Sequence, residues 1–479
     1  MLRLGVGSSA TKGYSLRVRD NNQGGDPALA PPRLRGRPFT ILAIVALVFS
    51  IGATGRWVID FGPRWFYHTD YDVYRAGGQA FLNGENLYTQ VYSVVGIDLP
   101  FTYPPLAAIL FSPLALIPYS IGSAAMTVAS AIVLWWCIVI VLRQCLPTFA
   151  TSDVRLLALF ILPLALLLEP LSETLYFGQI NVFLMALVLA DTLTRRKWLP
   201  RGVLIGLAAA IKLTPAVFGL VFLVRRQWKD AAVTTASGIG FTALAAIISP
   251  HNSVTYWLHT LSDPTRIGNL KFAANQSIQG MLSRFAEAGQ EAPRQWWVAL
   301  VALALFTIIV ALVRIERNAA TRGVDPTLAL VLVTSFVSLL CSPVSWSHHW
   351  TWLVPLAVTL GVNAYRMAPG TPRSIAGLLA VVVTLVGLLG AHWRIQVPRD
   401  MEYLWPWWSQ ATGNSYLLVA TLVLITVILI PHVLLPQAPS SVPGTQPMIP
   451  SVLLRAWILV IILGYLGIVV PIVVPALIA

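Results

Sequence analysis

Charge is what this sequence has least of. Only 11% of its 479 residues are Asp, Glu, Lys or Arg, against about 25% in a soluble domain. Too few polar side chains are present to cover a water-exposed globule of this size. Cysteine is scarce as well. Cys137, Cys145 and Cys341 have no metal-ligand spacing, so neither a structural zinc site nor a disulfide framework is expected. Acidic residues are the rarer sign, 19 against 32 Lys and Arg, for a net charge of +13. In a soluble protein that excess would suggest nucleic acid. Here the basic residues fall between apolar segments, and the chain carries no nucleic-acid module, internal repeat, soluble catalytic domain or nucleotide-binding motif. What it does carry is apolar: 57% hydrophobic residues and a mean hydropathy of +0.74.

Runs of about 20 apolar residues are long enough to cross a bilayer as helices, which satisfy their own backbone hydrogen bonds. Candidate spans are 39–59, 119–142, 155–171, 179–194, 230–249, 295–314, 326–342, 350–365, 374–391, 414–435 and 452–475. The class expected is an all-α polytopic membrane protein. Residues 1–38 are polar, basic and rich in Gly and Pro, without the apolar core of a signal peptide, and read as a disordered cytoplasmic tail. With that tail inside, the loops holding Arg143 and Arg155, Arg195 to Arg201, Arg225 to Lys229, Arg314 to Arg322, and Arg366 and Arg373 are also inside. This follows the positive-inside rule. Residues 202–224 have basic clusters at both ends, which favours a hairpin entering and leaving on one side, with Lys212 and Pro215 near its tip, over a single span. Residues 436–450 read as a Pro/Ser-rich cytoplasmic loop.

Four polar segments then face outward: 60–104, 172–178, 250–294 and 392–413. The first contains His68-Thr69-Asp70-Tyr71-Asp72-Val73-Tyr74-Arg75. A carboxylate there suits a general base at a lipid headgroup, provided it stays ionised and partly desolvated; a solvated acidic loop is the alternative. Phe101-Thr102-Tyr103-Pro104-Pro105 opens an apolar run to Leu116, too short to span, which fits an interfacial helix shaping a lipid cleft or a structural elbow. Glu169-Pro170 and Gly178-Gln179-Ile180-Asn181 join two short spans, where polar groups are functional or cap a neighbour. Lys212, in Lys212-Leu213-Thr214-Pro215, lies about eleven residues from either basic flank, too far to snorkel easily, and suits the neutralisation of a phosphate. Asn275-Gln276-Ser277 suits hydrogen bonds to a sugar or headgroup, or an ordered loop. Ser342 to Trp350 holds His348 and His349 between Trp346 and Trp350: an aromatic belt, or a phosphate site. Adjacent histidines on a helix point about 100° apart, which argues against a metal held by both.

Taken in this order, these motifs resemble the actinobacterial polyprenyl-phosphate-mannose-dependent α-(1→2)-mannosyltransferases, glycosyltransferase family eighty-seven of the GT-C superfamily. The likeness runs from about residue 60 to about residue 365. It implies a GT-C fold with about 11–13 transmembrane helices and an extracytoplasmic cavity. It divides the chain into the tail 1–38, a catalytic core 39–365 and C-terminal helices 366–479. It matches the family's required aspartate to Asp70, and its site lysine and histidine to Lys212 and His348 or His349. Arg75 joins these as a candidate phosphate ligand. Asp72, Tyr74, Tyr103, Gln179, Asn181, Asn275, Gln276 and Trp346 are candidates for substrate contacts.

The implied partners are a polyprenyl-phosphate sugar donor, a mannosylated lipid acceptor and the surrounding membrane lipids. The implied reaction is inverting transfer of mannose to a mannose 2-hydroxyl on a phosphatidylinositol mannoside, lipomannan or lipoarabinomannan. A donor with a single phosphate leads to the expectation of no obligatory metal and no other cofactor. Two alternatives stay open at the level of sequence: an arabinofuranosyltransferase using decaprenyl-phosphate arabinose, and a non-enzymatic lipid-sugar transporter.

Overall fold

The computed structural model describes residues 68–437 except 95, 195–197, 264, 265, 267, 287–291, 396 and 398–400, together with isolated positions between 44 and 51. The predicted tail, most of the first predicted span, nearly all of 436–450 and the span 452–475 lie outside the described residues.

The chain enters through α1 (Thr69–Leu82) and a two-stranded antiparallel hairpin, β1 (Val91–Val94) and β2 (Ile97–Pro100), before α2 (Pro105–Ala115). Then follow α3 (Tyr119–Cys145), α4 (Thr151–Leu167), α5 (Glu169–Phe177), α6 (Asn181–Leu193), α7 (Val203–Ile211), α8 (Gly219–Val224), α9 (Trp228–Ile248) and α10 (Pro250–Thr255). The second half comprises α11 (Ile278–Phe285), α12 (Arg294–Arg322), α13 (Thr327–Cys341), α14 (Leu353–Arg366), α15 (Thr371–Leu389), α16 (Trp407–Gly413) and α17 (Ser415–Leu429). The all-α expectation holds except for the small hairpin, which turns at Gly96 with φ 82°.

Among the described residues, four helices are long and apolar enough to cross a membrane: α3, α9, α12 and α15. Two bent pairs bring the number to six: α4 with α5, broken by 78°, and α16 with α17, broken by 70°. Other expected spans lie outside the described residues, and several apolar segments among the described ones form shorter helices. The 13 residues of α6 reach only about 20 Å at 1.5 Å each, short of a hydrocarbon core of about 30 Å. Lipid is still the natural neighbour of the long helices. Ile239, Leu244 and Ile247 on α9, Leu303, Phe306 and Ile309 on α12, and Leu378, Val381 and Leu385 on α15 are all exposed. In water such a surface would aggregate; around a membrane protein it meets acyl chains.

The interior apolar core joins α3, α4, α6, α13, α14, α15 and α17, so it runs without interruption past residue 366. The segment 202–224 has the hairpin form. A Cβ on Gly202 would lie 2.6 Å from Thr234 Oγ1, and one on Gly219 would lie 3.6 Å from Thr234 Cγ2. Both limbs therefore start and finish at the same level of α9. Between those points Gly206 faces Ser237 and Gly238, and Ala210 packs with Ala245. The chain reverses at Lys212, in extended backbone between α7 and a 3-10 turn, Thr214–Phe218.

Glycine permits this close pairing. A Cβ at Gly206 would sit 2.1 Å from Ser237 Oγ and 2.6 Å from the Gly238 backbone nitrogen. Gly206→Ala is expected to destabilise the protein by about 1–3 kcal/mol, read as a lower unfolding temperature in detergent. Gly240→Ala, with open space around its Cβ, serves as the silent control.

Candidate active site

The hairpin tip, the start of α1, the α5–α6 junction and the 3-10 turn Ser347–Trp352 converge. Gly178 makes the first approach possible. It ends α5 in the left-handed region at φ 65°, and a Cβ there would meet Tyr71 Cβ at 2.7 Å and His68 Cβ at 3.3 Å. A side chain at 178 would thus push α1 away from Gln179 and Asn181.

Asp70, partly exposed at the head of α1, is hydrogen-bonded to Gln179 and feels the charge of Lys212. Burial raises its pKa to about 6, with the Gln179 hydrogen bond and the Lys212 charge opposing that rise. Behind it, Tyr74 Oη donates to Gln179 Oε1 at 2.7 Å, and the Tyr74 and Tyr103 hydroxyls lie 2.9 Å apart. Lys212 Nζ donates to Asn181 Oδ1 and to His349 Nε2, each at 3.2 Å. It also sits 5.4 Å from the centre of the Tyr103 ring. An ammonium can only donate, so His349 accepts at Nε2 and is held as the neutral Nδ1–H tautomer. His348 lies behind, its carbonyl oxygen accepting from Asn181 Nδ2 at 2.9 Å and Thr174 Oγ1 at 3.1 Å. Its buried Nε2 has no hydrogen-bond partner among the described residues.

A small cavity of about 40 Å³, partly open to the outside, adjoins Lys212 and His349. Asn181, Thr214, Ser338 and Thr351 add polar atoms to its wall; Leu184, Met185, Val188, Phe218, Leu339 and Trp352 make the rest apolar. Its wall thus combines a cation and hydrogen-bonding groups with hydrocarbon. That suits an amphiphile carrying one negative group.

Not every expected residue joins this cluster. Asp72 and Arg75 interact with each other, and Arg75 reaches the Ala115 carbonyl at 3.5 Å, so the Arg75 guanidinium is engaged at the end of α2 rather than beside Lys212. Asn275 and Gln276 are fully buried. Asn275 accepts from the Ser345 backbone at 3.0 Å and donates to the Leu270 and Pro343 carbonyls. Gln276 donates to the Ala273 and Gly413 carbonyls. The Asn275 amide thus ties the 270s segment to Pro343 and Ser345, which feed the His348–His349 turn, and the Gln276 amide ties it to Gly413 at the end of α16; neither lines the cavity beside Lys212. Trp346 forms an isolated β-bridge with Asn275 and packs edge-on against Phe272.

One connection could not be anticipated. Glu169 is buried, accepting from Trp393 Nε1 at 2.7 Å and from the Tyr416 hydroxyl, with His392 Nε2 3.4 Å away. Tyr416 in turn packs on Trp350 in the His348–His349 turn. The C-terminal helices thus brace the site through a carboxylate on α5. Glu169→Ala strands several buried donors, and a loss of about 1–3 kcal/mol is expected for each one left unpaired. A drop in unfolding temperature larger than that of Glu169→Gln would reveal it.

The arrangement defines an embedded site pairing one carboxylate with one cation beside an amphiphilic cavity. Residues 101–343 match the model of Glycosyltransferase family 87. The chain is 38% identical, over 75% of its length and 84% of the relative's, to the polyprenol-phosphate-mannose-dependent alpha-(1-2)-phosphatidylinositol mannoside mannosyltransferase of Mycobacterium tuberculosis. It is 34% identical, over 80% of its length and 89% of the relative's, to the corresponding phosphatidylinositol pentamannoside mannosyltransferase of Mycolicibacterium smegmatis. An alpha-(1->3)-arabinofuranosyltransferase of Corynebacterium glutamicum is more distant, at 28% identity over 52% of this chain and 55% of the relative's. No solved structure matches. This chain belongs to glycosyltransferase family 87 and is a membrane-embedded glycosyltransferase.

Proposed function

We propose that the protein transfers mannose from polyprenyl-phosphate mannose to the 2-hydroxyl of a mannose on a phosphatidylinositol mannoside, forming an α-(1→2) bond. The observation that carries this reading is the meeting of Asp70 and Lys212 next to a cavity whose wall joins polar groups to hydrocarbon. The relatives' names support the choice of mannose and of linkage. The positive-inside distribution supports a site on the extracytoplasmic face.

A β-linked mannosyl phosphate giving an α product requires inversion, and one displacement achieves it. Asp70 takes the proton of the acceptor 2-hydroxyl as that oxygen attacks C1. The bond from C1 to the phosphate oxygen breaks, and its electron pair leaves with the polyprenyl phosphate. Lys212, already placed by Asn181 and His349, meets the negative charge that develops there. The proton remains on Asp70 until product departs and solvent removes it.

The test is direct. Purified protein is incubated with polyprenyl-phosphate mannose or decaprenyl-phosphate arabinose, each with a mannosylated phosphatidylinositol acceptor, and the product is analysed by mass and linkage. A new α-(1→2)-linked mannose on the acceptor is expected. Arabinose transfer, or movement of the lipid-linked sugar between leaflets without a new glycosidic bond, would overturn the reading.

A further inference from the structure

Gln179, Tyr74 and Tyr103 stand among the expected substrate contacts, yet their geometry describes something else. All three are buried. The Tyr74 hydroxyl has its proton committed to Gln179 Oε1 at 2.7 Å. Its oxygen lies 2.9 Å from the Tyr103 hydroxyl and accepts from the Ile180 backbone N–H. Tyr103 Oη also approaches Gln179 Oε1, at 3.4 Å. The amide oxygen of Gln179 is therefore turned toward the phenols, which leaves its NH₂ group facing Asp70. The opposite rotamer would place a carbonyl oxygen against a carboxylate, so both ends of the amide favour one orientation. The protons then run in one direction, from Tyr103 to Tyr74 to Gln179 to Asp70, and such chains polarise one another.

A carboxylate has two oxygens. With one held by the Gln179 N–H, the other is the one left to take a proton. We infer that Gln179, locked by Tyr74 and Tyr103, is a positioning residue that fixes the Asp70 carboxylate and dedicates its second oxygen to the acceptor hydroxyl. This rests on Asp70 being the base, and it adds to that reading a residue, a direction and a consequence for pH. The titratable groups around Asp70 are Lys212 from the hairpin, Tyr103 from the segment before α2, and Tyr74 from its own helix. Neither phenol is ionised in the working range, so only Lys212 and the Gln179 donor favour the charged carboxylate against its burial.

The test measures kcat and KM for donor and acceptor across pH 5–8.5 in wild type, Gln179→Leu and Tyr74→Phe, in the same detergent. Gln179→Leu is expected to lower kcat about 10- to 100-fold, with both KM values within about twofold of wild type. Loss of a hydrogen bond to the charged form should move the acid limb of the pH–rate profile upward by about one unit. Tyr74→Phe should move it the same way by less, because the amide keeps its NH₂ but not its lock. A rise in acceptor KM with an unmoved limb would make Gln179 a sugar contact and overturn the inference. Equal loss at every pH would reduce it to structural support and overturn it as well. Should Gln179→Leu not fold, Tyr74→Phe, which deletes a single oxygen, decides alone on the same readouts. A wild-type protein that transfers no mannose fails the underlying reading; a wild type that works with variants whose limb stays put fails only this one.

Discussion

Asp70→Asn is expected to lower the rate of mannose transfer by about 10²- to 10⁴-fold while leaving the protein folded. The substitution is nearly isosteric and keeps an oxygen that can accept from Gln179. It removes only the ability to carry a proton away from the attacking hydroxyl. The pH dependence follows from the same group. Burial raises the Asp70 pKa to about 6, so the carboxylate is protonated and idle below that value and competent above it. The wild-type rate should rise with pH through about 6, and the residual activity of Asp70→Asn should lack that rise. Stability supplies a second, independent sign. A carboxyl whose pKa is higher folded than unfolded contributes stability below its unfolded value and loses it as pH climbs through about 6. At pH 7.5 wild type therefore bears the cost of a desolvated charge that the Asn variant does not. Asp70→Asn should unfold at the same or a higher temperature than wild type at pH 7.5. A markedly lower one would make Asp70 a structural residue and the lost activity a consequence of damage.

The membrane class and most helix positions were legible because hydropathy reports apolar length whatever the apolar side chain later touches. The stretch 230–249 corresponds to α9, and 374–391 to α15, within a few residues. Two of the shorter apolar stretches, α6 and α13, form helices of 13 and 15 residues packed largely inside, and hydropathy alone does not tell such a helix from a full-length span. The basic flanks made the 202–224 hairpin readable, since charge clusters mark an end of a span and two at one level require a return. The hairpin at 91–100 went unread, although β-branched residues around Gly96 carry the signal. Within the site, Asp70, Lys212, Gln179 and Asn181 were legible as polar groups where polar groups are costly. Rotation was not. With α1 known, about 100° per residue places Asp72 and Arg75 well away from the face of Asp70. Without its bounds, His68 to Arg75 is only a polar string. The Asn275 and Gln276 amides bond to backbone, and sequence alone does not distinguish such amides from those that bind sugar. Glu169 finds Trp393 and Tyr416 more than two hundred positions away, a pairing that only the packed core creates.

Lys212→Gln should cost about 10²- to 10³-fold in kcat, and the manner of the loss identifies its cause. The wild-type ammonium is preorganised: Asn181 and His349 hold it at 3.2 Å on each side, and Tyr103 presents its ring face. Nothing has to reorient when the leaving phosphate acquires its second negative charge, and that is why a fixed cation lowers the barrier more than a mobile one. Gln preserves hydrogen bonding but not charge, so ground-state donor binding should weaken less than kcat falls. Free polyprenyl phosphate, which resembles the departing group, should inhibit wild type well and Lys212→Gln poorly. Lys212→Arg is not a rescue in this geometry. The guanidinium is planar and longer, and the space between Asn181 and His349 accommodates a point charge rather than a fork. A Lys212→Arg protein at full activity would show that charge near the cavity suffices and that placement by Asn181 and His349 is incidental. A Lys212→Gln protein with normal kcat and raised donor KM would move Lys212 from the transition state to mere capture of the lipid phosphate.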